Sequence, residues 1–181
     1  MVDKADLLVE IGCEELPPKS LDDIREALFR SVHESLTKSQ IEFDARSSQA
    51  FSSPRRLALL FRSVADAQPD QTIDRRGPAL SAAFDDGGTP TKAAEGFARS
   101  VNRKVSEQET LRTDKGEWLF ARVHQSGKIL AELVYPILEQ AIRQLPVPKP
   151  MRWGNNEFSF IRPVHWLAVL HGDKVLPGQL L

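Results

Sequence analysis

The sequence predicts an α+β fold: a mixed or antiparallel sheet with packed helices and room for two small subdomains. Short apolar runs of strand type, Leu7-Leu8-Val9-Glu10-Ile11 and Leu57-Ala58-Leu59-Leu60-Phe61, stand far apart in the chain. Two longer segments, 20–38 and 130–145, instead repeat their apolar residues at helical spacing. Between the strand-like and helical parts lies a loop-rich middle with a hairpin pattern. The 181 residues suffice for one domain, or one domain with an appended subdomain, and for a substantial core.

Taken in order, Leu7 to Ile11 ends at Gly12 and reads as a strand buried on at least one face. Glu14-Glu15-Leu16-Pro17-Pro18 makes the turn. Adjacent carboxylates invite acid/base or metal chemistry, but sequence neighbours point apart on a regular element, and no His or third carboxylate follows at ligand spacing. Solvent exposure or a helix N-terminal charge is their expected role. Ser20 and Asp23 have the form of a capping box, and Leu21, Ile24, Leu28, Val32 and Leu36 follow on one helical face. His33 is expected at the surface of that helix. Leu57 to Phe61 is a central strand bracketed by Arg55-Arg56 and Arg62. Arg55 and Arg56, set at a turn by Pro54, either face a phosphate or carboxylate or keep the strand end soluble.

From 65 to 91 the chain is expected to be loop, with turn clusters at Gln68-Pro69-Asp70, Asp74-Arg75-Arg76-Gly77-Pro78 and Asp85-Asp86-Gly87-Gly88-Thr89-Pro90. The glycine spacing of a Walker loop or a dinucleotide fingerprint is missing there. Residues 92–101 form a short helix anchored by Phe97, and Arg99, Arg103 and Lys104 give its C-terminal end a positive charge that suits the helix dipole. Thr113 to Gly116 turns between two strands of a hairpin, the second ending at His124. Leu130, Leu133, Val134, Ile137, Leu138, Ala141, Ile142 and Leu145 then line a long, largely buried helix from which Pro136 removes one hydrogen bond. Pro146, Pro148 and Pro150 stop it and lead into an extended segment. The parts so defined are 1–65, 66–128 and 129–181.

Composition is that of an ordinary folded chain, 41% apolar and 27% charged, and no apolar run approaches the ~20 residues of a membrane span. The stretch MVDKADLLVEIG has no basic segment followed by a long apolar core and a small-residue cleavage site, so secretion is not expected. A single cysteine, Cys13, excludes an internal disulfide and a cysteine-based zinc site, which agrees with a reducing cytoplasm. The formal net charge of −1 hides an asymmetry: residues 1–50 carry 6 basic and 11 acidic side chains, residues 51–181 carry 18 and 14. A polyanion is therefore expected on the later part. The end, Val175 to Leu181, follows a strand-like run with no polar tail, which suggests a piece of a longer protein.

The stretch 149–173 holds Trp153 and Trp166, with Phe158 and Phe160 between them and Lys149, Arg152, Arg162 and His165 interleaved. Aromatic faces beside guanidinium groups can stack on nucleobases and pair with phosphates. The alternative is a buried strand, Trp166 to Leu170, entered through a turn at Gly154-Asn155-Asn156. The four histidines are dispersed, and no Ser-His-Asp, Cys-His or metal set can be argued from spacing. Binding suits this inventory better than bond-making.

The segments LLVEIGCEELPPK (7–19), SPRRLAL (53–59), RRGP (75–78), AFDDGGTPTKAAEGFAR (83–99), TDKGEWL (113–119), LPVPKPMRWG (145–154) and FIRPVHWLAVLHGDKV (160–175) together resemble the N-terminal region of the β subunit of bacterial glycyl-tRNA synthetase. Cys13 and Ala67 stand where other small residues are expected. The resemblance implies a cytoplasmic α2β2 enzyme that joins glycine to its tRNA using ATP and Mg on the class II site of the α subunit, with no cofactor or catalytic residue in this chain. It further implies an HD-like domain and an anticodon-binding domain later in the β subunit, and likeness to the mixed α/β B3/B4 region of phenylalanyl-tRNA synthetase. Its N-terminal β region would contribute tRNA docking, subunit assembly, or both. Arg55, Arg56, Arg75, Arg76, Lys149, Arg152 and Arg162 are the candidate phosphate-facing residues and Trp153 a candidate stacking platform; alternatively the arginines pair with the chain's own acidic first third or with the α subunit.

Overall fold

The computed structural model describes residues 3–114, 116–147, 150–153 and 158–180. In chain order they form β1 (Lys4–Cys13), α1 (Leu21–Lys38), β2 (Asp44–Ser53), β3 (Arg56–Ala65), β4 (Gln71–Ala79), α2 (Leu80–Ala83), α3 (Lys92–Ser100), β5 (Glu109–Thr113), β6 (Gly116–Gln125), α4 (Leu130–Arg143), β7 (Val164–His171) and β8 (Lys174–Val175). The fold is α+β with antiparallel sheets. Contacts divide it into two compact units, Met1–Pro69 with Gly127–Leu181, and Asp70–Ser126.

The first unit is built on a five-stranded sheet of order β2-β3-β1-β7-β8. The first and last segments of the sequence thus share one sheet, and the apolar run at Leu7 is its middle strand. Because side chains alternate across a strand, Leu7, Val9 and Ile11 oppose Phe61, Leu59 and Leu57 on one side and His171, Val169 and Leu167 on the other, all on one face. Against that face pack Ile24, Leu28, Val32 and Leu36 of α1 and Val134, Leu138 and Ala141 of α4, forming one buried cluster. Pro136 lies inside α4, which stays helical through it.

One expectation about α1 is corrected. Ser20 makes no side-chain capping bond; a 3-10 turn over Pro18–Ser20 leaves it at φ −113°, ψ 0°. That backbone is not the extended one from which a capping hydroxyl reaches the first turn. His33, expected at the surface, is partly exposed. Its ring meets Phe43 edge-on at 5.0 Å and Phe29 at 6.0 Å, beside the stacked Phe29–Phe61 pair at 5.1 Å.

The second unit is a three-stranded sheet of order β4-β6-β5 with α2 and α3 beside it. The hairpin expected around 113–116 forms as β5 and β6, paired from Thr113↔Gly116 to Glu109↔Phe120. The segment expected to be loop contains strand β4. Its sequence, QTIDRRGPA, has one large apolar residue, Ile73, and includes Gly77-Pro78. It is an edge strand, where proline is tolerated, and its register with β6 shifts between Arg76 and Ala79, across that pair. Ala83, Ala94 and Leu119 form a small core with Leu80, Phe84, Phe97 and Val105 around it.

The end of helix α3 is closed by backbone bonds, with the Ser100 hydroxyl donating to the Phe97 carbonyl at 2.7 Å. Asn102 takes the left-handed conformation, φ 51°, the Arg103 N–H donates to the Ala98 carbonyl at 3.0 Å, and the Asn102 N–H donates to that of Arg99 at 3.2 Å. This is the Schellman arrangement, which satisfies carbonyls of the last turn through the backbone.

Candidate functional site

The residues on the other face of the five-stranded sheet follow from the same register. Leu8 opposes Leu60 and Leu170, Glu10 opposes Ala58 and Ala168, Gly12 opposes Arg56 and Trp166, Phe51 opposes Ala58, and Val175 opposes Leu170. None of these side chains joins the buried cluster. Leu8, Leu60 and Leu170 are half-buried, while Phe51, Trp166 and Val175 are 49%, 43% and 69% exposed. An apolar band therefore crosses the sheet on the side away from α1 and α4.

Glycine at position 12 shapes this face. A β-carbon there would lie 2.1 Å from the Trp166 indole, so the ring lies flat over the β1 backbone. Trp166 Nε1 donates to Glu10 at 2.9 Å, and the Arg56 guanidinium, 3.4 Å from the same carboxylate, sits 5.8 Å from the indole centroid. Small Ala58 then leaves a depression of about 400 Å3 lined by Phe51, Arg55, Arg56, Ala58 and Trp166 among others. At the opposite end of the face Arg62 pairs with Asp6, whose second oxygen accepts the Ser63 N–H at 3.0 Å. That N–H, and then Arg62, hold the Asp6 carboxyl below its usual range.

The carboxylates of the first turn are engaged. Glu14 lies 2.8 Å from His165 Nε2, and Glu15 lies 3.5 Å from Arg55. The Arg162 Nε–H donates to the Glu15 carbonyl at 3.0 Å, and the Cys13 N–H to that of Arg55 at 3.0 Å. Ligand spacing could not reveal the Glu14–His165 pair, because its members are 151 residues apart and meet only through the β1–β7 pairing. Burial, aided by the Glu14 charge, pushes the Cys13 thiol up to about 11, away from nucleophilic use. Among the described residues no three His, Cys, Asp or Glu side chains are grouped to hold a metal ion.

The candidate cations fall into different situations. Arg55 and Arg56 face Glu15 and Glu10, and Arg162 is half-buried and donates to the Glu15 and Ile161 carbonyls and the Met151 sulfur. Trp153 is half-buried and packs against the main core. Arg152 is exposed, with no ion pair among the described residues; Lys149 and the turn at 154–156 lie outside them. In the second unit Arg75 and Arg76 are exposed on β4, and the Arg76 guanidinium lies 4.6 Å over the Trp118 ring. Thus Arg75, Arg76 and Arg152 keep open positions, whereas Arg55, Arg56 and Arg162 help knit the first unit together. His171, on the inner face, donates Nε2–H to the Val64 carbonyl at 2.8 Å. No helix among the described residues is long and apolar enough to cross a membrane.

The chain is similar to proteins called glycine–tRNA ligase beta subunit from several bacteria. That of Alteromonas mediterranea is 48% identical over 174 residues, covering 96% of this chain and 25% of the relative. Those of Marinobacter nauticus and Chromohalobacter salexigens are 45% and 48% identical over 176 and 175 residues, each covering 97% of this chain and 25% of the relative. The chain therefore spans about a quarter of the length of these relatives. The family model described as glycyl-tRNA synthetase beta subunit matches residues 7–181, from within β1 through β8, and the chain belongs to that family.

Proposed function

We propose that the chain is the non-catalytic N-terminal part of a cytoplasmic glycine–tRNA ligase β subunit, and that its first unit serves assembly by docking the α subunit on the open face of the five-stranded sheet. ATP and Mg are used on the α subunit, where glycine is activated and joined to its tRNA. The observation that carries this reading is the apolar band of Leu8, Leu60, Leu170, Phe51, Trp166 and Val175, bordered by Arg56–Glu10 and Arg62–Asp6. An apolar strip rimmed by polar groups is the anatomy of a protein interface, with aromatic anchors inside and charges at the rim. Its arginines are held by carboxylates of the same face, which reduces their attraction for a polyanion.

The test is association of the α subunit with a full-length β subunit carrying Leu60→Lys together with Phe51→Asp. We expect the α–β complex to weaken by at least tenfold, about 1.4 kcal/mol, while the β subunit keeps its circular dichroism. Unchanged assembly sinks this reading.

A second reading, tRNA docking, is supported by Arg75, Arg76 and Arg152, which are exposed cations without a carboxylate partner among the described residues. A phosphate-driven contact must weaken steeply with salt. Glycine tRNA binding that is indifferent to salt removes these arginines from the role.

A further inference from the structure

Beyond the arginines named above, the second unit carries a cluster of positive charge where α3 ends. Arg99, Arg103 and Lys104 are all exposed and, with Asn102 and Glu107, line an open concavity of about 410 Å3. The simplest account of cations at a helix C-terminus is that they cap its carbonyls or answer its dipole. Two of these carbonyls are already taken by backbone: those of Ala98 and Arg99 accept the N–H groups of Arg103 and Asn102. None of the three cations is among the side chains bonded to them.

The lining stays net positive, three cations against the single carboxylate of Glu107. Among the described residues none of the three cations has an ion pair, and the one lining carboxylate, Glu107, accepts the Lys104 backbone N–H at 3.1 Å. By contrast, Arg112 and Arg122 of the same unit lie 2.6 Å and 3.2 Å from Glu117 and Asp74. Arg103 is also fixed in place, because its Nη2 donates to the Arg122 carbonyl of β6 at 2.8 Å. That bond uses one of five guanidinium donors and ties the cluster to the sheet.

We infer that Arg99, Arg103 and Lys104 form a phosphate-binding patch for the backbone of an RNA strand. The inference rests on the tRNA-docking reading and adds residues to it. An open, polar concavity walled by exposed cationic side chains suits an extended polyanion, whose binding is driven by release of counterions rather than by a tight cage of donors. It has no aromatic wall, so it holds the strand without reading its bases.

The experiment uses the assembled enzyme, with full-length β subunit and α subunit, and measures glycine tRNA affinity from roughly 50 to 200 mM salt. Arg99→Gln with Lys104→Gln removes two charges and leaves the Arg103 bond and the backbone cap untouched. We expect the slope of log affinity against log salt to fall by about 1.4 to 1.8, and affinity at the low-salt end to fall by on the order of tenfold. Arg99→Lys with Lys104→Arg, which keeps both charges, restores slope and affinity. Thermal melting of the glutamine variant matches the parent. An unchanged slope in the glutamine variant, where the parent shows a steep one, overturns the patch and leaves the docking reading standing. A flat slope in the parent overturns both. Inorganic phosphate competing at constant ionic strength and low concentration marks a free-anion site instead and overturns the RNA assignment.

Discussion

At the scale of single residues, Gly12 shows how much of the sheet's open face depends on one missing atom. The Trp166 indole occupies the space a β-carbon would need, so Gly12→Ala has to displace the ring, its bond to Glu10 and its contact with Arg56. We expect Gly12→Ala to cost about 1–3 kcal/mol in chemical denaturation and to change the near-ultraviolet circular dichroism. Full parental stability with unchanged tryptophan signals contradicts the placement. Asp6 makes a prediction about acid. Its carboxyl is lowered from an ordinary 3.8 in the folded chain, so the folded state favours the ionised form. The stability this contributes is complete above the unfolded value and is lost as pH falls from there through the folded value. Asp6→Asn is therefore expected to flatten the decline in melting temperature below about pH 4 while changing little in slope near neutrality. Parallel acid profiles for parent and variant count against the Ser63 and Arg62 contacts.

Among the elements, helix α1 separates what periodicity can disclose from what it cannot. Its buried stripe, Ile24, Leu28, Val32 and Leu36, is the one its spacing implies, because a 3.6-residue repeat facing an apolar sheet has a single way to be buried. Its start is not disclosed by periodicity, because a capping box is only a pair of residue types, and the 3-10 turn at Pro18–Ser20 sets the Ser20 backbone instead. The two halves of this account diverge in the denaturation midpoint. Ser20→Ala should cost under about 0.5 kcal/mol, below the typical capping loss, while Leu28→Ala should cost about 2–5 kcal/mol. A large loss from Ser20→Ala restores the cap. Strands β2 and β4 were illegible for a shared reason. Both are edge strands with few apolar residues, DARSSQAFSS and QTIDRRGPA, so neither carries the alternation of a half-buried strand. What makes them strands is the backbone of a neighbour, β3 or β6, and pairing partners are not written in local composition. The candidate site divides likewise. The aromatic and cationic residue types stood out in the sequence, but whether an arginine meets a carboxylate depends on contacts such as Arg55 with Glu15, 40 residues away.

Across the whole molecule, the second unit is an insertion into the first. The chain leaves and rejoins the first unit at adjacent points: the Gln68 N–H donates to the Lys128 carbonyl at 2.9 Å, and Ala67 bridges Ile129. Joining residue 69 to residue 127 through a short glycine-serine linker is therefore expected to leave the five-stranded unit folded, since the excised segment begins and ends at one place. Cooperative unfolding and a retained β-rich circular dichroism spectrum are the measurements to make. A molten or insoluble product shows instead that the inserted segment is needed for the first unit to fold.

The β1–β7 register carries a consequence for how such a chain is born. One edge of β1 is met by β3 soon after residue 65, but the other waits for Val164 to His171. At about 5–20 residues per second, ribosomal synthesis leaves that edge bare for roughly 5–20 s while the intervening hundred or so residues emerge. Throughout that interval the nascent sheet offers a ready template to any passing strand, which makes this segment a natural client for a chaperone at the tunnel exit.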